Sequence, residues 1–280
     1  MKPFSSHLRS RTAFTLIELL VVMSIMLVML ALLVPAITGI KGANDLTKAS
    51  YDIAGTLEQA RAYAMANRTY VWVGFAEVDV SVSDSTVPQK AATTTAGGRV
   101  AVAVVASKDG TRGYDVTNAS LATPPWSLNG STITTGSTLM ALNKLQYFDN
   151  VHMVAAGVLN GFSATKNSDG TVGAGGMRRP GITSNTYVLT SGSNTVTQFA
   201  WPLGNSLNSS SAKYNFGTVI NFDPQGVARL QTKTNTDTIG QYMEVGLQPT
   251  HGNIVPSGTT GNLTAIQVDG MTGTTRVYRP

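Results

Sequence analysis

The chain has 280 residues, no cysteine, and 20 Lys and Arg against 15 Asp and Glu, for a formal net charge of +5. The lack of thiols excludes disulfide staples and thiolate zinc sites. Residues 1–13 hold three of the basic side chains, leaving 17 against 15 beyond them, and with no Lys/Arg cluster interleaved with aromatics the sequence predicts no nucleic-acid partner.

The first 13 residues carry Lys2, Arg9 and Arg11 and no acid. Behind them Phe14 to Ile37 form a run of 24 residues in which Glu18 is the one ionisable group. As a helix this run is about 36 Å long, enough to cross a hydrocarbon core of about 30 Å. A basic flank before a long apolar run predicts a membrane segment with a cytoplasmic N-terminus. Glu18 is the anomaly, because a charged side chain in such a helix costs about 2.5–3.5 kcal/mol near its centre. Lying one turn into the run, it reads either as a carboxylate at the headgroup boundary, neutral or hydrated, or as one awaiting a cationic partner. Pro35 removes one helical hydrogen bond and predicts a kink there, with Gly39 and Gly42 loosening the helix beyond it.

Arg11-Thr-Ala-Phe-Thr-Leu-Ile-Glu-Leu-Leu-Val-Val-Met23 resembles the class III signal of type IV pilins and type II secretion pseudopilins. The resemblance implies cleavage between Ala13 and Phe14 by prepilin peptidase, on the cytoplasmic side, and methylation of the Phe14 amine. The family pattern most often has Gly before the cut, where this chain has Ala13, also small. It further implies that Glu18 forms the assembly salt bridge with the N-terminal amine of a neighbouring subunit. The implied partners are other pilin or pseudopilin subunits, prepilin peptidase and an inner-membrane assembly platform. An ordinary secretory signal is instead cut after its apolar region.

The expected organisation is a leader over 1–13, a transmembrane and assembly helix over 14–37, an amphipathic helix over 38–68 and an extracytoplasmic β-rich domain over 69–280. Leu46, Ala49, Ile53, Leu57, Ala60 and Ala64 recur at spacings of three and four, which places them on one helical face. Asn44 or Asp45 suits the start of that helix as a cap. After Asn67-Arg68 the text turns to β-branched and aromatic runs: Tyr70–Phe75, Arg99–Ala106, Val151–Val154, Thr195–Trp201, Thr218–Phe222, Val227–Thr232, Tyr242–Leu247, Ala265–Val268 and Thr275–Tyr278. A short helix is expected around Thr138–Leu145. Segments rich in Ser, Thr and Gly, namely Ser83–Gly98, Thr165–Gly176 and Asn205–Ala212, read as surface loops. The fold class is α+β, a long N-terminal helix packed on an antiparallel sheet domain.

Asn221-Phe-Asp-Pro-Gln-Gly226 carries turn chemistry, and Ile266 to Tyr278 pairs two β runs across a Gly-rich turn. With the helix text Leu57 to Arg68, these look like the FimT and general secretion pathway H group of minor pseudopilins. The insertions between residues 77 and 215 depart from that compact group. Catalysis finds no support. His7, His152 and His251 lack carboxylates at ligand spacing, no Gly-x-Ser-x-Gly elbow occurs, and Gly170–Gly176 lacks the ending of a phosphate loop. Lys166–Gly170 has the start of a calcium loop without its downstream acid. Trp72, Trp126 and Trp201 read as core or loop anchors. No cofactor and no metal is expected. The alternative to a filament subunit is a membrane-tethered binding module that does not polymerise. An anchored hydrolase is a third class, for which the residues offer no constellation.

Overall fold

A computed structural model describes residues 15–93, 95–110, 139–154, 159, 179, 186–189, 199–203, 212–231, 239–256 and 262–279, with side chains left out at 32–43, 186–187, 199 and 231. The chain is α+β, one 52-residue helix α1 (Leu16–Asn67) followed by strands that pair mostly antiparallel. Two compact units divide it, Met1–Lys41 and Gly42–Pro280.

In the first unit, Leu16–Lys41 is helical, Pro35 included. The kink expected at Pro35 falls where side chains lie outside the described residues. Among the described residues no helix is long and apolar enough to cross a membrane. Of the run read as 14–37, side chains are described for residues 15–31.

Among the described residues the second unit contains the rest of α1 and thirteen strands: β1 (Val71–Asp79), β2 (Gly98–Ser107), β3 (Leu139–Ala141), β4 (Gln146–Asp149), β5 (Val151–Met153), β6 (Thr186–Leu189), β7 (Phe199–Trp201), β8 (Tyr214–Phe216), β9 (Thr218–Phe222), β10 (Ala228–Gln231), β11 (Tyr242–Pro249), β12 (Thr264–Asp269) and β13 (Thr275–Tyr278). One sheet runs β10-β9-β1-β2-β3, with β4 also on β2; a second runs β13-β12-β11-β5, with β6 parallel to β11; β7 and β8 form a separate pair.

Helical period and strand period meet in the main core. Leu46, Ala49, Ile53, Leu57, Ala60 and Ala64 are all buried, in one cluster with Val71, Val73 and Phe75 of β1 and Val245 and Leu247 of β11. The alternate residue Trp72 points to the other side of the first sheet, into a cluster with Tyr214 and Phe216 of β8. Both faces of β1 and β2 are therefore covered, which is why these strands read as continuous apolar runs. The alanines let the helix approach the sheets closely. Polar groups fasten the same helix: Asn150 Nδ2 donates to Asp45 at 2.8 Å, Thr56 Oγ1 to Gln146 at 3.0 Å and Asn143 Nδ2 to Gln59 at 3.2 Å, while the Thr275 amide donates to Glu58.

The two glycine turns interlock. Gly226 closes the Asp-Pro-Gln-Gly turn at φ +82°, and a Cβ there would lie 2.7 Å from the Met65 sulfur of α1. Gly273, at φ +66° between β12 and β13, would place a Cβ 2.1 Å from the Gly226 carbonyl oxygen. The Ala228 amide completes the junction by donating to the Gly270 carbonyl at 2.9 Å.

The helix expected around Thr138–Leu145 is corrected. Leu139–Ala141 is strand β3, in register with Val105 to Ser107 at the edge of β2. Pairing on an open strand edge outweighs the helix propensity of Leu-Met-Ala. The strand expected over Tyr70–Phe75 continues to Asp79, because its two acids have partners: Lys90 Nζ sits 3.0 Å from Asp79, and His152 Nδ1 sits 2.7 Å from Glu77. Residues 195–198, the loop 165–176 and the loop residues 205–211 lie outside the described residues.

Leu57→Ala, in the centre of the buried stripe, is expected to lower the unfolding free energy of the full-length protein in detergent by about 2–5 kcal/mol. Ala62→Ser, on the exposed side of the same helix, is expected to leave it within about 0.5 kcal/mol. Denaturant midpoints followed by circular dichroism provide the check.

Candidate functional site at the N-terminus of the helix

Thr15 precedes the first helical residue, Leu16, and so occupies the N-cap of α1. Glu18 stands three residues on, in the spacing of a capping box. Its Oε2 accepts the Thr15 amide at 2.9 Å and the Thr15 hydroxyl at 2.8 Å, and the Glu18 amide in turn donates to Thr15 Oγ1 at 3.3 Å. The carboxylate thus meets the unpaired amides of a helix start, where the positive end of the helix dipole favours an acid. Thr15 was not singled out by its sequence context, although Thr-x-x-Glu before an apolar run is the signature of such a box.

Behind Glu18 the helix is apolar on every side. Thirteen large hydrophobic side chains between Leu16 and Leu30 are exposed, from 46% at Val22 to 83% at Leu16. The polar exception there, Ser24, returns its hydroxyl to the Leu20 carbonyl at 2.8 Å and so presents no free donor. An exposed apolar surface of this extent marks a site of contact with other chains or with a membrane. Ala13 and Phe14, the residues flanking the expected cut, lie outside the described residues, as does the Pro35 side chain. The structure therefore gathers Thr15, Glu18 and the apolar surface, and does not test the remaining residues.

Other sequence-nominated residues have structural surroundings. His152 is buried against Glu77, whose second oxygen accepts the Met153 amide at 3.0 Å; the pair ties β1 of one sheet to β5 of the other. His251 is exposed. Trp72 is buried in the core and Trp201 packs beside Tyr214 and Phe216, whereas Trp126, Lys166–Gly170 and Gly170–Gly176 lie outside the described residues. Among the described residues no group of three or more His, Asp or Glu is placed to hold a metal ion. A buried ion pair elsewhere has no signal in the sequence: Arg179 Nε donates to Glu244 at 2.7 Å, and Gln267 donates to the same oxygen at 2.8 Å. Nothing in the local text links these three residues, which come together through β11 and β12.

Residues 8–34 match the family model of the prokaryotic N-terminal methylation motif. The matched span contains Ala13, Phe14, Thr15 and Glu18 and ends just before Pro35. No curated protein and no solved structure was found to match the chain.

Thr15→Val keeps the shape of the cap and removes its hydroxyl. The loss is expected to weaken the first turn by about 0.5–2 kcal/mol. Amide exchange at residues 16–19 in micelles is the check, with faster exchange expected there and unchanged exchange at residues 46–64.

Proposed function

We propose that this chain is a subunit, of the minor class, of a type IV pilus-like or type II secretion pseudopilus filament. Residues 14–37 anchor it in the inner membrane with the N-terminus in the cytoplasm and the β-rich domain outside. Prepilin peptidase cuts between Ala13 and Phe14 and methylates the new amine. The role is structural and not enzymatic. Its partners are other subunits of the filament and the inner-membrane assembly platform.

The observation that carries this reading is the methylation-motif match across residues 8–34, with Glu18 one turn into an exposed apolar helix. The minor class rests on the resemblance of Leu57–Arg68, the Phe222-Asp-Pro-Gln-Gly226 turn and the closing β12–β13 pair to the FimT and general secretion pathway H group.

The mechanism follows from where the acid stands. In the single subunit Glu18 is held by Thr15 of its own chain, so among the described residues the carboxylate has neutral donors and no counter-charge. An N-terminal amine from a neighbouring copy, about 4 Å away at an effective dielectric near 20, attracts it by about 4 kcal/mol before desolvation. The amine competes with a bond that is already made, so it succeeds only in a register that brings the two charges close. The apolar side chains of Leu16–Leu30 then exchange lipid for neighbouring helices. A pair that forms in one axial register sets the spacing of the assembly.

Glu18→Val is expected to leave the subunit processed and membrane-inserted while lowering its crosslinking to neighbouring subunits at least about tenfold, which corresponds to losing roughly 1.4 kcal/mol of selective attraction. Incorporation of the Val variant at the wild-type level in sheared filaments would contradict the assembly role of Glu18.

A further inference from the structure

A cavity of about 200 Å³ opens where β1 ends, lined by Val78, Val80 and Val82 together with Asp84, Gln89 and Arg99. The wall is built before anything enters it. Gln89 Nε2 donates to the carbonyls of Ser83, Asp84 and Thr86, at 3.3, 3.2 and 2.6 Å, and its own amide donates to the Lys213 carbonyl at 2.9 Å. That side chain holds the 83–86 turn, and with it Asp84, in position.

Charges at the mouth are balanced. Arg99 Nη1 donates to Asp84 Oδ1 at 3.0 Å, Arg99 Nε donates to Asp149, and Lys213 Nζ lies 3.2 Å from Asp84 Oδ2. The Arg99 guanidinium also rests 5.6 Å from the centre of the Tyr147 ring. Two cations therefore face two carboxylates. The link between Arg99 and Asp84 lies at the surface, with Asp84 63% exposed. It can open without stranding either group, because Arg99 keeps Asp149 and Asp84 keeps Lys213. Exposed ion pairs of this kind contribute little to stability, so opening one costs little.

We infer that this cavity binds a free α-amino acid with a small aliphatic side chain. The ligand's carboxylate takes the Arg99 nitrogen and its ammonium takes the Asp84 oxygen, so one exposed pair is replaced by two charge-assisted ones. The aliphatic side chain lies against Val78, Val80 and Val82. A carboxylate alone brings a second negative charge against Asp84 and an amine alone brings a second positive charge against Arg99, so both charges of the zwitterion are needed. The size agrees, since drug-sized ligands occupy pockets of about 300–1,000 Å³ and this one is smaller. This inference is independent of the filament reading.

Saturation-transfer NMR on the full-length protein in non-ionic micelles, with protein-free micelles as the reference, tests the inference. The probes are L-leucine, its deamino analogue 4-methylpentanoate and its decarboxy analogue 3-methylbutylamine. Leucine is expected to give transfer above the micelle reference, falling about fivefold or more in Asp84→Asn; each analogue is expected to match the reference. Leucine transfer no greater than the reference, or unchanged in Asp84→Asn, or equalled by either analogue, would overturn the site. The analogue comparison is made on the unsubstituted chain and stands even where the variant misfolds.

Discussion

An apolar helix surface, exposed among the described residues and interrupted by one carboxylate, is the constraint on which the rest depends. Burying each large side chain between Leu16 and Leu30 is worth about 1.5–3 kcal/mol. A surface of that kind compels the helix to remain among lipids or other helices. Glu18 is the one group in it that distinguishes one such environment from another. Held by the Thr15 amide and hydroxyl, it has hydrogen bonds and, among the described residues, no counter-charge. A helix so equipped is tolerable alone and improves only when a cation arrives at the right height.

The second unit is organised for a different task, that of fixing the later part of α1 to its sheets. Apolar packing fills the stripe from Leu46 to Ala64, and the side chains of Asp45, Thr56, Glu58 and Gln59 reach partners 84 to 217 residues away along the chain. The two sheets share that core and are also tied by the buried Glu77–His152 contact. Removing either member of such a pair strands a buried polar group, so these contacts specify the arrangement of the sheets more than they add to its net stability.

Period made much of this fold legible. The six-residue stripe is visible because an unbroken helical spacing was available over some twenty residues. Strands β1, β2, β9 and β12 are visible because burial on both faces fills them with β-branched residues, and β11 through its run of Tyr, Met, Val and Leu. What could not be read lies where pairing depends on distant text. Leu139–Ala141 is too short to carry a period, and only the free edge of β2 makes it a strand. Glu77 and Asp79 resemble strand terminators until His152 and Lys90 are brought to them. At the helix terminus Glu18 stood out as an acid in an apolar run, while Thr15 went unremarked because its role depends on being three residues away. The cavity beside Arg99 joins three segments, 78–84, 89 and 99, that no local motif connects.

The central claim is that the apolar helix begins life behind a leader and ends it with a free, methylated amine beside Glu18. Intact-mass and N-terminal analysis of the protein purified from membranes tests this most directly. The account predicts a chain that starts at N-methylated Phe14, with residues 1–13 absent. A mature protein that retains Met1 and the leader would contradict it and would favour a tethered module that does not polymerise.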